Sequence, residues 1–218
     1  MKREVFQEDA IAWLERKNIQ SGESYFASLP DISEFPEYSL EEWKSWFMKT
    51  ASLILKKTAD SDVVIFFQSD IKYQGHWVDK AYLCQRAAEE TGHELLWHKI
   101  ACRAPAGVTT FGRPAYSHLL CFSKGVRLDP QTSTPDVLPE MGEKSWQRGI
   151  GLNPALLIAR FIKETVGSQT LVNPFCGEGA MLACANHLGL QAIGIEKGKK
   201  RAQRARDIQI SDDSSRWL

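Results

Sequence analysis

Two places in this 218-residue chain carry residue types at a spacing that suits ligand chemistry. The first is Leu171-Val-Asn-Pro-Phe-Cys-Gly-Glu-Gly-Ala180. Reading 170–173 as a buried strand and 178–188 as a helix leaves 173–177 as the turn between them. Glycines at 177 and 179 let the backbone approach a ligand with no Cβ in the way, and a helix N-terminus aims free N–H groups at the same point. The second is Glu196, at the end of a strand expected over 191–195 and 23 residues beyond Asn173. In doubly wound folds an acid about 20 residues past the glycine turn takes ribose hydroxyls. The pair suggests a nucleoside-bearing cofactor. A lone G-x-G at such a turn also occurs in α/β proteins that bind nothing, so the rest of the chain has to decide.

Seven strands are expected, over 4–7, 25–28, 63–67, 93–101, 115–122, 170–173 and 191–195. Val63–Phe67 is an unbroken run of β-formers, as in a parallel strand buried on both faces. Helices are expected over 10–16, from Ser39 to about Lys57, and over 77–91, 155–165, 178–188 and 198–208. Asp9 is placed to cap the first of these. Ser39 with Glu42 three residues on makes a capping box. Asn153-Pro154 opens the fourth helix with Pro at its first position. Strands alternating with helices predict an α/β fold, a doubly wound, mainly parallel seven-stranded sheet, with the hairpin-like return of 93–101 and 115–122 giving an antiparallel edge strand. The glycine turn comes after five strands instead of after the first. We read 1–218 as one domain: a half over 1–123, a long loop over 124–152, a second half over 153–210 and a polar tail over 211–218.

Basic and acidic residues balance, 27 against 27, so no global field points to nucleic acid, although a local patch stays open. Met1-Lys-Arg-Glu-Val has no signal-peptide core, and the longest apolar run is too short to span a bilayer. Five cysteines with no C-x-x-C spacing read as reduced thiols of a cytoplasmic protein. The five histidines show no ligand spacing, so no metal is expected.

The segment Asn173-Pro-Phe-Cys-Gly-Glu-Gly179 resembles the D-P-F-x-G-x-G motif of S-adenosylmethionine-dependent DNA and RNA methyltransferases. Gly151-Leu-Asn-Pro154 is similar to the segment preceding that motif. Val5-Phe-Gln-Glu-Asp9-Ala-Ile and Ser28-Leu-Pro-Asp31 resemble the third and fourth motifs, the fourth usually being [DNS]-P-P-[YFW]. This order resembles the circularly permuted beta class of amino-methyltransferases. The resemblance implies a Rossmann-like class I methyltransferase fold with S-adenosylmethionine as cofactor. It implies that Phe175, Gly177 and Gly179 line the methionine and ribose, with Asn173 and Ser28 beside them. Glu196 would accept from the ribose hydroxyls, Asp9 from the adenine amine, and Asn153 would sit near the methionine carboxylate. Ser28, Pro30 and Asp31 would form the catalytic motif, its polar residue and a backbone carbonyl accepting from the target amine while the motif's aromatic stacks on a flipped base. Two departures stand out: Asn173 replaces an Asp, and Asp31 replaces the aromatic. Asp31 cannot stack a base, and suits a general base or a contact to an amino or cationic substrate. Cys176 lies on the cofactor turn and is not read as a nucleophile.

Further candidates for substrate contact are Asp70 and Lys72, equally readable as a surface ion pair, and Arg103 and Arg113 flanking Phe111, a pattern that suits phosphate and base. Trp77 reads as core more readily than as a stacking platform. The basic run 197–206 reads as a solvated helix face. The expected function is methylation of a nucleic-acid base at an exocyclic or ring nitrogen, with RNA favoured over DNA because the charge is neutral and the loops are small. The alternatives are a protein side chain or small molecule as acceptor, or a catalytically degenerate binding subunit. Monomer and dimer are both open.

Overall fold

The computed structural model describes residues 2–211, 213, 216 and 217; the rest of the expected tail, at 212, 214, 215 and 218, lies outside the described residues. The chain opens with β1 (Arg3–Phe6), α1 (Ala10–Arg16) and β2 (Glu23–Ala27). After one tight helical turn (Ile32–Glu34) comes α2 (Leu40–Lys56), then β3 (Val64–Gln68). The expected capping box starts α2: Glu42 N donates to Ser39 Oγ, and Ser39 N donates back to Glu42.

The segment expected as loop 71–75 and a helix from Trp77 is instead a hairpin, β4 (Ile71–Tyr73) with β5 (His76–Val78). The helix α3 (Lys80–Glu90) begins later because Asp79 caps it, accepting from Tyr82 N. Trp77 is thereby carried onto the hairpin, where it is 56% exposed and not core. β6 (Glu94–Cys102) and β7 (Tyr116–Ser123) follow as the expected antiparallel return. Within the long loop, Val137–Leu138 forms a short β8. Then come α4 (Leu152–Phe161), which continues into one wider π-type turn (Ile162–Val166), β9 (Thr170–Asn173), α5 (Ala180–His187), β10 (Gln191–Ile195) and α6 (Lys199–Asp207).

Eight strands form one sheet in the order β1-β10-β9-β2-β3-β7-β6-β8. The strands from β1 to β3 are mutually parallel. The antiparallel strand is not at the edge as expected: β7 lies between β3 and β6. The edge is β8, held parallel to β6 because Lys99 Nζ gathers the Thr134 and Pro135 carbonyls and Asp136. Alternation along each strand feeds two cores. Phe26, Ile65 and Phe67 face α4 and α5, while Tyr25, Ala27, Val64 and Phe66 face α1, α2 and α3. No helix among the described residues is long and apolar enough to cross a membrane.

A buried polar knot ties the two halves of the chain at the N-terminal ends of β2, β3 and β9. Asp62 accepts from Gly22 N at 2.8 Å and from Ser168 Oγ at 2.6 Å, and Ser168 meets Ser24 Oγ at 2.7 Å. Removing the carboxylate strands buried donors, each costing about 1–3 kcal/mol. Asp62→Ala should therefore lower unfolding stability by about 2–4 kcal/mol, read from urea midpoints at constant m; a loss under about 1 kcal/mol would show the knot to be incidental.

Candidate active site

In an open parallel sheet the ligand edge is the one at the carboxyl ends of the strands. Here β2, β3, β9 and β10 deliver Ser28, Gln68, Asn173 and Glu196 to a single cavity of about 380 Å³, within the range of small-molecule sites. Asp9, from the turn after β1, joins them.

At one end the turn after β9 is shaped by its own side chain, since Phe175 N donates to Asn173 Oδ1 at 3.2 Å. The Asn that stands in for an acid therefore serves as an acceptor within the turn. Gly177 has φ +54°, and a Cβ there would sit 3.3 Å from the Trp146 ring. Glu196 is buried, and its Oε1 accepts from Gly198 N at 2.7 Å and pairs with Arg201 at 3.1 Å. Its Oε2 has no hydrogen-bond partner among the described residues. Asp9 does what its local sequence implies, capping α1 through Oδ1 from Ile11 and Ala12 N, while Oδ2 lies 3.8 Å from Lys197 Nζ. Burial, with the Glu196 charge next, pushes the Cys176 thiol up to about 12, so it is no thiolate at neutral pH.

At the other end Ser28, Pro30 and Asp31 leave β2 for the cavity. Trp43 Nε1 donates to Pro30 O at 3.2 Å and pins the turn to α2. Both oxygens of Asp31 are taken, Oδ1 by Lys80 Nζ and Oδ2 by Arg113 Nη2. Lys80 is buried, with only 3% of its side chain exposed, whereas Arg113 is 40% exposed. Asp70, read as a substrate contact, lies behind this pair instead of on the cavity. Its Oδ1 accepts from Lys80 N at 2.9 Å, and its Oδ2 meets His118 Nε2 at 3.0 Å. Burial works to raise the Asp70 carboxyl, but the His118 and Lys80 hydrogen bonds outweigh it and hold the group below its ordinary range. His118 in turn bonds His98 at 2.9 Å. One donor atom each from Asp70, Asp79 and His118 lie within 4.8 Å of one another, a proximity that sequence spacing hid.

Four other expected site residues do not line the cavity. Gly179, with φ +87°, packs against Ala205, where a Cβ would come within 2.6 Å; it seats α5 on α6. Asn153 turns away and donates to Glu140 O. Lys72 lies over the Trp77 ring on the exposed hairpin. Arg103 stands behind Arg113, its guanidinium lowered by burial first and then by the Arg113 charge. Several wall residues were not read as site residues from sequence. Trp146 and Arg148 come from the long loop, and Phe35 and Trp46 form an aromatic wall, their ring centres 4.5 Å apart and Trp46 6.3 Å from Phe175. Gln68 is the third addition, buried and with a carboxamide nitrogen lacking any partner among the described residues. Its helpful signal was position, the last residue of the strand beside β2.

Breaking one member of a buried ion pair costs about 3–5 kcal/mol, while replacing both members is often neutral. Asp31→Asn should lose about 3 kcal/mol in urea unfolding, and Asp31→Asn with Lys80→Met should regain most of it. A double variant no more stable than the single one would show that the buried ammonium does not depend on Asp31.

Comparison with models of known protein families finds no match, and neither does comparison with curated proteins. Solved structures do match. TTHA0409 of Thermus thermophilus, provisionally a DNA modification methylase and complexed with S-adenosyl-L-methionine, superposes with TM-score 0.71 at 16% identity, over 95% of this chain and 94% of its own. The cytosine-N4-specific PvuII DNA methyltransferase gives 0.73 at 14%, over 94% and 86%. The S-adenosylmethionine complex of M1.HpyAVI gives 0.63 at 13%, over 94% and 98%. At such identities the likeness is one of architecture, and the chain has the Rossmann-like fold of these methyltransferases.

Proposed function

We propose that this chain is an S-adenosylmethionine-dependent methyltransferase acting on a nucleic-acid base, and that the base is in DNA. The observation that carries the reading is the convergence of Glu196, the Phe175–Gly177 turn and Ser28 on one cavity. The fold neighbours support it, since two of them hold S-adenosylmethionine and their names specify DNA where they name a polymer. The RNA preference drawn from neutral charge and short loops finds no support among them, and the proposed polymer is corrected to DNA. The chain order, with the Ser28 strand ahead of the glycine turn, supports reading 1–218 as a single, circularly permuted domain.

The residues present suit such a cofactor. Glu196 Oε2 stands without a partner among the described residues where ribose hydroxyls would donate, Phe175 offers an apolar face, and a Cβ at Gly177 would intrude on the space under Trp146. Bound there, S-adenosylmethionine supplies an activated methyl group, so the protein's task is alignment of an acceptor in line with it. Ser28 Oγ, free of protein partners among the described residues, would accept from the target amine and so orient the amine nitrogen for transfer. Trp43 fixes Pro30 and with it the depth of Ser28. The ion-paired Asp31 keeps a charged group where the related motif has an aromatic, and that single feature favours a second reading, a protein side chain or small molecule as acceptor.

Calorimetry of S-adenosylmethionine and S-adenosylhomocysteine tests the first half. Wild type should bind both at micromolar Kd, and Glu196→Ala should lose at least about tenfold, as for a charge-assisted hydrogen bond of about 1.5–3 kcal/mol. Absence of binding by wild type sinks the cofactor reading. Transfer of a tritiated methyl group to DNA, RNA and protein fractions tests the second half, and label confined to protein would shift the acceptor.

A further inference from the structure

We propose that Arg113, held by Asp31, is the planar surface on which the acceptor base stacks. The inference rests on the function proposed above and names how its substrate is gripped.

A base that is methylated must leave its stack and be sandwiched in the active site. The position after Leu29-Pro30, at the mouth of the cavity, carries a carboxylate in place of a ring, and each Asp31 oxygen already accepts from a cation. Lys80 neutralises it from the buried side, reaching up from the first turn of α3, which Asp70 clamps through the Lys80 N–H. The other oxygen is turned to Arg113, 82 residues away on the loop after β6. So the acid fixes a guanidinium on the cavity wall. Among the described residues Asp31 engages one of the five N–H donors of Arg113, and the side chain is 40% exposed, leaving room for a ring against the guanidinium. A guanidinium plane stacks on nucleobases much as an aromatic ring does. Lys could supply the charge but not the plane.

The surroundings agree. Lys80 and Arg113 against Asp31 leave one net positive charge. Arg103 and Lys144 stand outside the cavity lining, each lowered by burial first and then by neighbouring arginine charge. Arg148 also lines the cavity and lies 3.7 Å from Glu34. With Arg148 set against Glu34, this end of the cavity keeps one net positive charge, which suits a base that arrives on a phosphodiester chain. It does not fit a cationic acceptor such as a lysine side chain.

The experiment compares kcat/KM for methyl transfer to denatured mixed-sequence DNA by wild type, Arg113→Lys and Arg113→Trp, at two salt concentrations, with cofactor Kd measured alongside. Lys keeps charge and loses the plane; Trp does the reverse. Stacking predicts that R113K falls by about tenfold or more, in line with the loss of one base stack. R113W should retain more activity than R113K, and cofactor Kd should stay within about twofold of wild type in both, the scale of an unperturbed site. R113K equal to wild type, or better than R113W with the salt slope unchanged from wild type, shows Arg113 to be a point charge and overturns the inference alone. Loss of transfer in Phe35→Ala with R113K intact assigns the stack to Phe35 and overturns it too. Cofactor binding by wild type with no transfer to DNA overturns both this inference and the nucleic-acid part of the proposed function.

Discussion

The pairing of β2 with β9 is the constraint on which the site depends. Glu23, Ser24 and Tyr25 lie opposite Thr170, Leu171 and Val172 in parallel register, joining segments 147 residues apart. With both strands pointing the same way, Ser28 and the Asn173 turn must emerge side by side. A slip of one residue would send Tyr25 and Phe26 to each other's cores, so two packed layers enforce the register. The Asp62 knot does the same at the opposite end through one part-buried and one fully buried hydrogen bond. The cavity's geometry is thus inherited from sheet packing, and the loops only complete it.

The Ser28–Asp31 end of the cavity shows a different balance. A buried ammonium costs several kcal/mol to desolvate unless its partner is close and well oriented. Lys80 meets that condition through Asp31, and Asp31 is oriented by the Trp43 bond to the preceding carbonyl. The cost is tolerated where an apolar residue would have packed more simply. Gln68, with a buried carboxamide nitrogen unpartnered among the described residues, sits beside the same cavity.

Much of the architecture was legible in the chain because it rests on local chemistry. The Val63–Phe67 run, the Ser39–Glu42 box, the Asp9 cap and the glycine turn each need only their neighbours. The misplaced pieces depend on partners far away. β7 is internal rather than an edge because β6 and β8 build beyond it, and β8 pairs with β6 where Lys99 gathers the loop carbonyls. Trp77 was assigned to the core by residue type, but the Asp79 cap starts the helix after it and leaves it on an exposed hairpin.

In the site, the sequence by itself determined the kind of ligand pocket: a glycine turn after one strand, an acid at the end of the next, and a short polar motif on an earlier strand. Those are contiguous patterns, and backbone geometry leaves them few ways to fold. Tertiary structure decided which residues share the cavity. It brought Trp146 over Gly177 from a loop with no periodicity and set Phe35 and Trp46 as a wall. It took Gly179 to helix packing and Asn153 and Lys72 away from the cavity. It also decided what Asp31 does, because a carboxylate's role is set by what reaches its two oxygens, and Lys80 and Arg113 arrive from 49 and 82 residues along the chain.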